Sequence, residues 1–198
     1  VSLSASVRVF EACINLATAL ACYLCVRSLM RSRRAAVGAS VLYTLCIYRL
    51  VNLYTRATLG ESLAMIFFPM VLLGLYEVLR RDEKRWPLLA LGMTGVCMSH
   101  LLSTLFCAAF CALAAVLSVK KLFAEKRRIL AILLAAGVTA LCGLWFYVPM
   151  MQYTADGIST SVVLNAAENV HVPGSFLVGF AGDAGADAPE DFAYTIGV

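Results

Sequence analysis

The sequence predicts an all-α bundle of transmembrane helices, with four full spans and one hairpin of two short helices. Three observations carry that expectation. Hydrophobic residues make up 62% of the 198 positions and charged residues only 14%, whereas a soluble domain is about half apolar and about a quarter charged. The apolar excess falls in runs of near-spanning length. Short basic clusters separate those runs, as in loops that set topology.

Residues 9–30 form the first span, with Glu11 and Asn15 near its start and Arg27 near its end. Arg31, Arg33 and Arg34 follow, and the positive-inside rule assigns their loop to the cytoplasm. Residues 35–53 return outward, with Tyr43, Tyr48 and Tyr54 toward the outer end as an interfacial aromatic belt. Residues 61–79 go back in, and Pro69 is expected to kink them. The basic loop 80–85 is again cytoplasmic.

Residues 86–119 are too long for one straight crossing. As one helix they would run about 50 Å, against a hydrocarbon core of about 30 Å. A straight span would also carry Lys120, Lys121, Lys126, Arg127 and Arg128 outside. Two short legs meeting at Ser99–His100, the strongly polar point of the run, resolve both conflicts. Residues 129–150 form the last span, with Trp145, Tyr147 and Tyr153 at the outer boundary and Pro149 as its end. This divides the chain into a transmembrane domain, 1–150, and an extracytoplasmic tail, 151–198, which has six acidic residues and no Lys or Arg. All but three of the 16 Lys and Arg residues fall at or beside the assigned cytoplasmic loops. The exceptions are Arg8, Arg49 and Arg56.

Other function classes find little support. The net charge of +4 belongs to topological loops, so no nucleic-acid partner is expected. The eight cysteines all lie in apolar runs. Cys22 and Cys25 form a CxxC, but no second pair and no flanking His or Asp accompanies it, so it reads as buried packing. No cofactor or metal site is expected, with a divalent metal left open. No internal repeat, nucleotide-binding glycine pattern or HExxH motif is present. The start at Val1 without a cleavable signal, and the stop at Val198, lead us to expect a segment of a longer protein.

The candidate chemistry centres on Tyr48–Ala64. Arg49, Arg56 and Glu61 border apolar runs, where charge is costly unless it faces water, a partner or a ligand. A guanidinium there suits a two-pronged grip on phosphate, and a neighbouring carboxylate could orient it or take a proton. The alternative is structural: Glu61 caps its helix and pairs with Arg56 or Arg49. His100, at the hairpin tip, is either a ligand contact or a histidine bonded within the bundle. Asn52 and Tyr54 are candidates for the same outer cavity or interface anchors. Gln152 and Tyr153 lie near that level, and His171 reads as a surface residue. The turn, the His100 tip and the mouth of the last span are expected to converge on the outer leaflet.

Tyr48-Arg49-Leu50, Asn52, Tyr54, Arg56, Gly60-Glu61 and Ala64, followed by Pro69 and Gly74, resemble the core motif of a bacterial polytopic membrane family labelled 6-pyruvoyl-tetrahydropterin-synthase-related. Ser99-His100 and Trp145-Phe146 with Pro149 match it too. This family and the YfhO-like proteins are similar to the GT-C superfamily of integral membrane glycosyltransferases. The resemblance covers roughly residues 5–155. It implies a GT-C-like fold in the bacterial cytoplasmic membrane. It also implies transfer of sugar from a polyprenyl-phosphate donor to an extracytoplasmic acceptor. Arg56, with Arg49, Asn52, Tyr54 and His100, would bind the lipid phosphate, and Glu61 would share the acid–base work. The superfamily's usual catalytic acid, in a first outer loop, has no match here, so this segment by itself is expected to be inactive. A lipid or sugar-lipid transporter or flippase, and a non-catalytic membrane assembly protein, are the alternatives.

Overall fold

A computed structural model describes residues 3–155. The chain runs through α1 (Leu3–Met30), α2 (Arg33–Thr44) and α3 (Ile47–Leu50), then a π-helical turn (Val51–Thr55) and α4 (Leu59–Arg80). A 3-10 turn (Glu83–Arg85), α5 (Trp86–Ser99), α6 (Leu101–Leu117), α7 (Val119–Ala124) and α8 (Lys126–Ala155) follow. No strand occurs among the described residues.

Three segments are long and apolar enough to cross a membrane: Ala5–Met30, Leu59–Arg80 and Lys126–Pro149. The central one is in α4, with 56% of its most apolar window buried, against 22% in α1 and 17% in α8. The 86–119 region divides as its length requires. His100 adopts an extended conformation (φ −156°, ψ 121°) between α5 and α6. Their 14 and 17 residues give about 21 and 26 Å at 1.5 Å per residue, each short of a full crossing.

The segment expected to return outward over 35–53 is broken within its length. The helix stops at Thr44 and restarts at Ile47 with a bend of 49°, so a fourth crossing exists only if the bent pair counts as one. Arg49 supplies the reason. It is 1% exposed, and a guanidinium at such depth must be surrounded by acceptors. The break frees a terminal carbonyl of α2, and Arg49 Nη1 donates to Thr44 O (3.0 Å) and to Asn15 Oδ1 (2.7 Å), while Nη2 donates to Thr18 Oγ1 (3.2 Å). The α2 C-terminus is also the negative end of its helix dipole.

The prolines behave differently from a simple end or break. Pro69 lies inside a continuous α4. Its missing N–H leaves the carbonyl four residues earlier without a helical donor. That carbonyl is Met65 O, and Tyr43 Oη donates to it at 2.7 Å, so α2 repairs the ladder of α4. The expectation that Pro149 ends the last helix is corrected too: α8 continues to Ala155. One absent donor does not stop a helix whose other bonds persist. The remaining residues of the acidic tail, with His171, lie outside the described residues.

The α4–α5 pair forms the tightest seam. A Cβ on Gly74 would lie 2.5 Å from Leu89 N, and one on Gly92 would lie 2.8 Å from Val71 N. Without those atoms the two backbones approach as small residues allow in membrane helix pairs. α1 packs on α2 and α4, and α8 packs on α5. Tyr147 Oη donates to Cys97 O (3.2 Å) across the α8–α5 contact. α6 is held loosely, with Ser103 its one buried residue.

The basic residues gather at one end, where they cap helix C-termini. Arg81 donates to Ser28 O (3.3 Å) and Leu29 O (3.4 Å) at the end of α1. Arg128, itself buried, donates to Val78 O (2.5 Å) and Arg81 O (3.3 Å) at the end of α4 and pairs with Glu125 (2.8 Å). Lys121 donates to Arg80 O (3.4 Å). Cations complement the partial negative charge of these carbonyls.

The seam gives a direct test. Gly74→Ala forces a backbone shift in α4 or α5 and should cost about 1–3 kcal/mol, the usual cost of overpacking. Gly137→Ala, at a position with nothing within 4 Å, should leave stability unchanged or slightly raised. Thermal unfolding of both variants in detergent checks this.

Candidate functional site

The π turn and the start of α4 build one wall of the principal cavity. Arg56 N–H closes the π turn on Val51 O (2.9 Å). Ala57 then adopts a left-handed conformation (φ 51°), and the chain reverses into α4. Asn52, fully buried, holds this reversal. Its backbone carbonyl accepts from Thr58 N (2.9 Å) and Thr58 Oγ1 (3.1 Å), and its side-chain Oδ1 accepts from Arg56 Nη1 (3.0 Å). Glu61 lies in the first turn of α4, where a carboxylate suits the positive dipole end. Its Oε1 accepts a hydrogen bond from Tyr48 Oη.

The opposing wall comes from the α5–α6 break. Gly60 brings the walls together, since a Cβ there would lie 2.7 Å from Ser99 O. His100 is the N-cap of α6. Its Nδ1 accepts from Ser103 N (3.3 Å) and pairs with Ser103 Oγ (2.9 Å). A ring nitrogen that accepts an N–H carries no proton, so neutral His100 holds its proton on Nε2. Nε2–H is then the imidazole's remaining donor on a residue that lines the cavity.

The cavity has a volume of about 700 Å³. Its composition is divided. Tyr48, Arg56, Thr58, Glu61, His100 and Ser103 form a polar end. Phe68, Val71, Leu72, Phe106 and Phe110 continue it as an apolar channel between α4 and α6. Donors at one end and aromatic walls at the other fit an amphiphile with an anionic head.

Of the residues the sequence singled out, Arg56, Glu61 and His100 meet in this cavity. Asn52 stands behind it and positions Arg56. Arg49 and Tyr54 do not line it. Arg49 is enclosed by Asn15, Thr18 and Thr44, and Tyr54 Oη accepts from Asn15 Nδ2 (2.7 Å). Both therefore fasten the turn to α1, and the expected convergence of the last span on the cavity is not seen among the described residues. Sequence reasoning missed Tyr48 as a partner of Glu61, 13 residues away, because no local pattern links them. Ser103 was detectable in principle, as the i+3 partner of a capping residue. No group of three or more His, Cys, Asp or Glu able to hold a metal occurs among the described residues.

A double-mutant cycle distinguishes a structural Arg49 from a ligand contact. Arg49→Met leaves buried acceptors unsatisfied and should destabilise the chain by about 1–3 kcal/mol. Paired with Asn15→Leu, it should show a coupling of about 0.5–3 kcal/mol. Additive effects on chemical or thermal unfolding would show that the Asn15–Arg49 bond does not hold the turn.

Neither a curated protein nor a solved structure matches the chain. A family model, that of the 6-pyruvoyl-tetrahydropterin synthase related domain, described as a membrane protein, matches residues 3–173. The matched segment includes both walls of the cavity and every candidate site residue, and the chain belongs to this family of membrane proteins.

Proposed function

We propose that the chain is the lipid-phosphate-binding part of an integral membrane glycosyltransferase of GT-C type. It would transfer sugar from a polyprenyl-phosphate donor to an acceptor on the extracytoplasmic side of a bacterial cytoplasmic membrane. The observation that carries this reading is the division of the cavity into a polar end, where Arg56 and His100 supply donors, and an apolar aromatic channel. The polyprenyl chain would occupy the channel between α4 and α6. The phosphate would meet the Arg56 guanidinium and the His100 Nε2–H, two donors suited to an anion in a site of low dielectric.

In this reaction the acceptor oxygen attacks the anomeric carbon, the bond from that carbon to the phosphate oxygen breaks, and polyprenyl phosphate leaves. Negative charge grows on the leaving phosphate, where Arg56 and His100 stabilise it. The acceptor proton goes to a carboxylate. Glu61 is the carboxylate of this cavity, and Tyr48 orients it while one of its oxygens remains available. Asn52 sets the reach of Arg56.

The test uses the full-length protein in liposomes, supplied with labelled polyprenyl-phosphate sugar and candidate acceptors. Release of polyprenyl phosphate supports transfer. Movement of intact sugar-lipid between leaflets favours a flippase, and inertness in both assays favours an assembly role. Arg56→Ala and His100→Ala should each weaken donor binding by about 10–100-fold, the loss of one charge-assisted hydrogen bond. Glu61→Gln should lower turnover more than donor affinity. A cysteine at Thr58 should react with an impermeant reagent only from outside the cell, and labelling only from inside would overturn the proposed sidedness.

A further inference from the structure

A second cavity lies at the basic end of the bundle, opposite Arg56 and His100. The last turns of α1 and α4 and the 3-10 turn border an open cavity of about 460 Å³ lined by Arg27, Arg31, Arg81, Arg85, Glu77 and Asp82. Four guanidinium groups face two carboxylates there, an excess of two positive charges. Helix C-termini attract cations, which accounts for Arg81 with its bonds to the α1 carbonyls and favours Arg27 in the last turn of α1. It does not by itself account for four guanidinium groups lining one cavity.

Glu77 is 2% exposed and lies beside this cavity, 3.1 Å from Arg81 and 3.7 Å from Arg85. A buried carboxylate so placed fixes two guanidinium groups on one wall. Arg27 donates to Tyr23 Oη at 3.3 Å. The Arg31 side chain has no hydrogen bond or ion pair among the described residues. Arg31 is also held at φ 54°, the left-handed position after a helix where glycine costs least. Strain retained at a charged residue, whose side chain lines a cavity, points to what that side chain binds.

The face of α1 leading to this cavity identifies the ligand class. Leu16, Leu20 and Leu24 are 70%, 53% and 55% exposed. With Arg27 they follow spacings of four, four and three, which place these four on one face of α1, and Arg31 follows directly after its last turn. An exposed leucine track that ends in two arginines suits hydrocarbon below and an anionic headgroup above. A soluble anion would have no use for the track.

We propose that this cavity binds the phosphate of an anionic phospholipid from the leaflet at the basic end, with its acyl chains along the Leu16–Leu20–Leu24 face. The site is independent of the transfer reaction proposed above. It gives four arginines a recognition role beyond setting topology.

The experiment uses the full chain in detergent, in an Arg56→Ala/His100→Ala background so that the other cavity does not contribute. Short-chain phosphatidylglycerol, short-chain phosphatidylcholine and inorganic phosphate are titrated, with binding read by native mass spectrometry and thermal shift. Phosphatidylglycerol should bind at least about tenfold more tightly than the other two, a difference of about 1.4 kcal/mol. Arg31→Gly should weaken that binding about tenfold while melting at an equal or higher temperature, because it relieves the backbone strain. Arg34→Gln, which removes the same charge from the first turn of α2, outside the cavity, should bind as the parent does. Equal affinity for phosphatidylcholine, equal affinity for inorganic phosphate, or equal effects of Arg31→Gly and Arg34→Gln would each overturn the proposal.

Discussion

The close approach of α4 and α5 is the constraint on which the rest of the molecule depends. Gly74 and Gly92 remove the side chains that would separate the two backbones. The start of α4 is thereby brought level with the end of α5, and Gly60 lies against the carbonyl of Ser99. Hydrocarbon offers helices no hydrophobic drive to associate, so packing and satisfied polar groups decide which helices meet. This seam therefore decides which polar residues share a cavity. Arg56 and Glu61 at one end of α4 face His100 because two short legs meet there and the first leg is tied to α4.

A second constraint is the buried charge of Arg49. No carboxylate among the described residues pairs with it; the carbonyl of Thr44 and the oxygens of Asn15 and Thr18 accept its hydrogen bonds. That arrangement requires a broken helix, because an intact one would have used the carbonyl internally. The break, the π turn and the left-handed Ala57 then follow in series and carry Arg56 to the cavity. The motif thus contains two arginines with separate duties, one anchoring the turn and the other presented by it.

The two ends of the bundle use the same electrostatics in opposite senses. At the basic end, Arg81, Arg128 and Lys121 satisfy the carbonyls with which α1 and α4 end. At the cavity end α4 and α6 begin, and beside the Glu61 carboxylate the groups there include donors: the first turn of α4, Arg56 and the imidazole that caps α6. An anion is favoured at such helix starts. One antiparallel arrangement therefore yields a cation-lined surface on one side and, on the other, a cavity bordered by helix starts. In a membrane those two ends lie near opposite leaflets.

The sequence by itself determined the helical class, the apolar runs, the break at His100 and the clustering of basic residues between spans. Each follows from local quantities: hydropathy, run length against bilayer thickness, and loop charge. It also singled out Arg56, Glu61 and His100, because a charged or ionisable residue bordering hydrocarbon is conspicuous without any knowledge of its neighbours. Only the tertiary structure decided that Arg49 faces α1 and Arg56 the cavity, since the two differ in which helix they meet. The same holds for Tyr48 on Glu61, and for Tyr43 completing the ladder that Pro69 interrupts. Those pairings depend on contacts between residues 13 and 22 positions apart, which the glycine seam and the bent span bring together and no local pattern records.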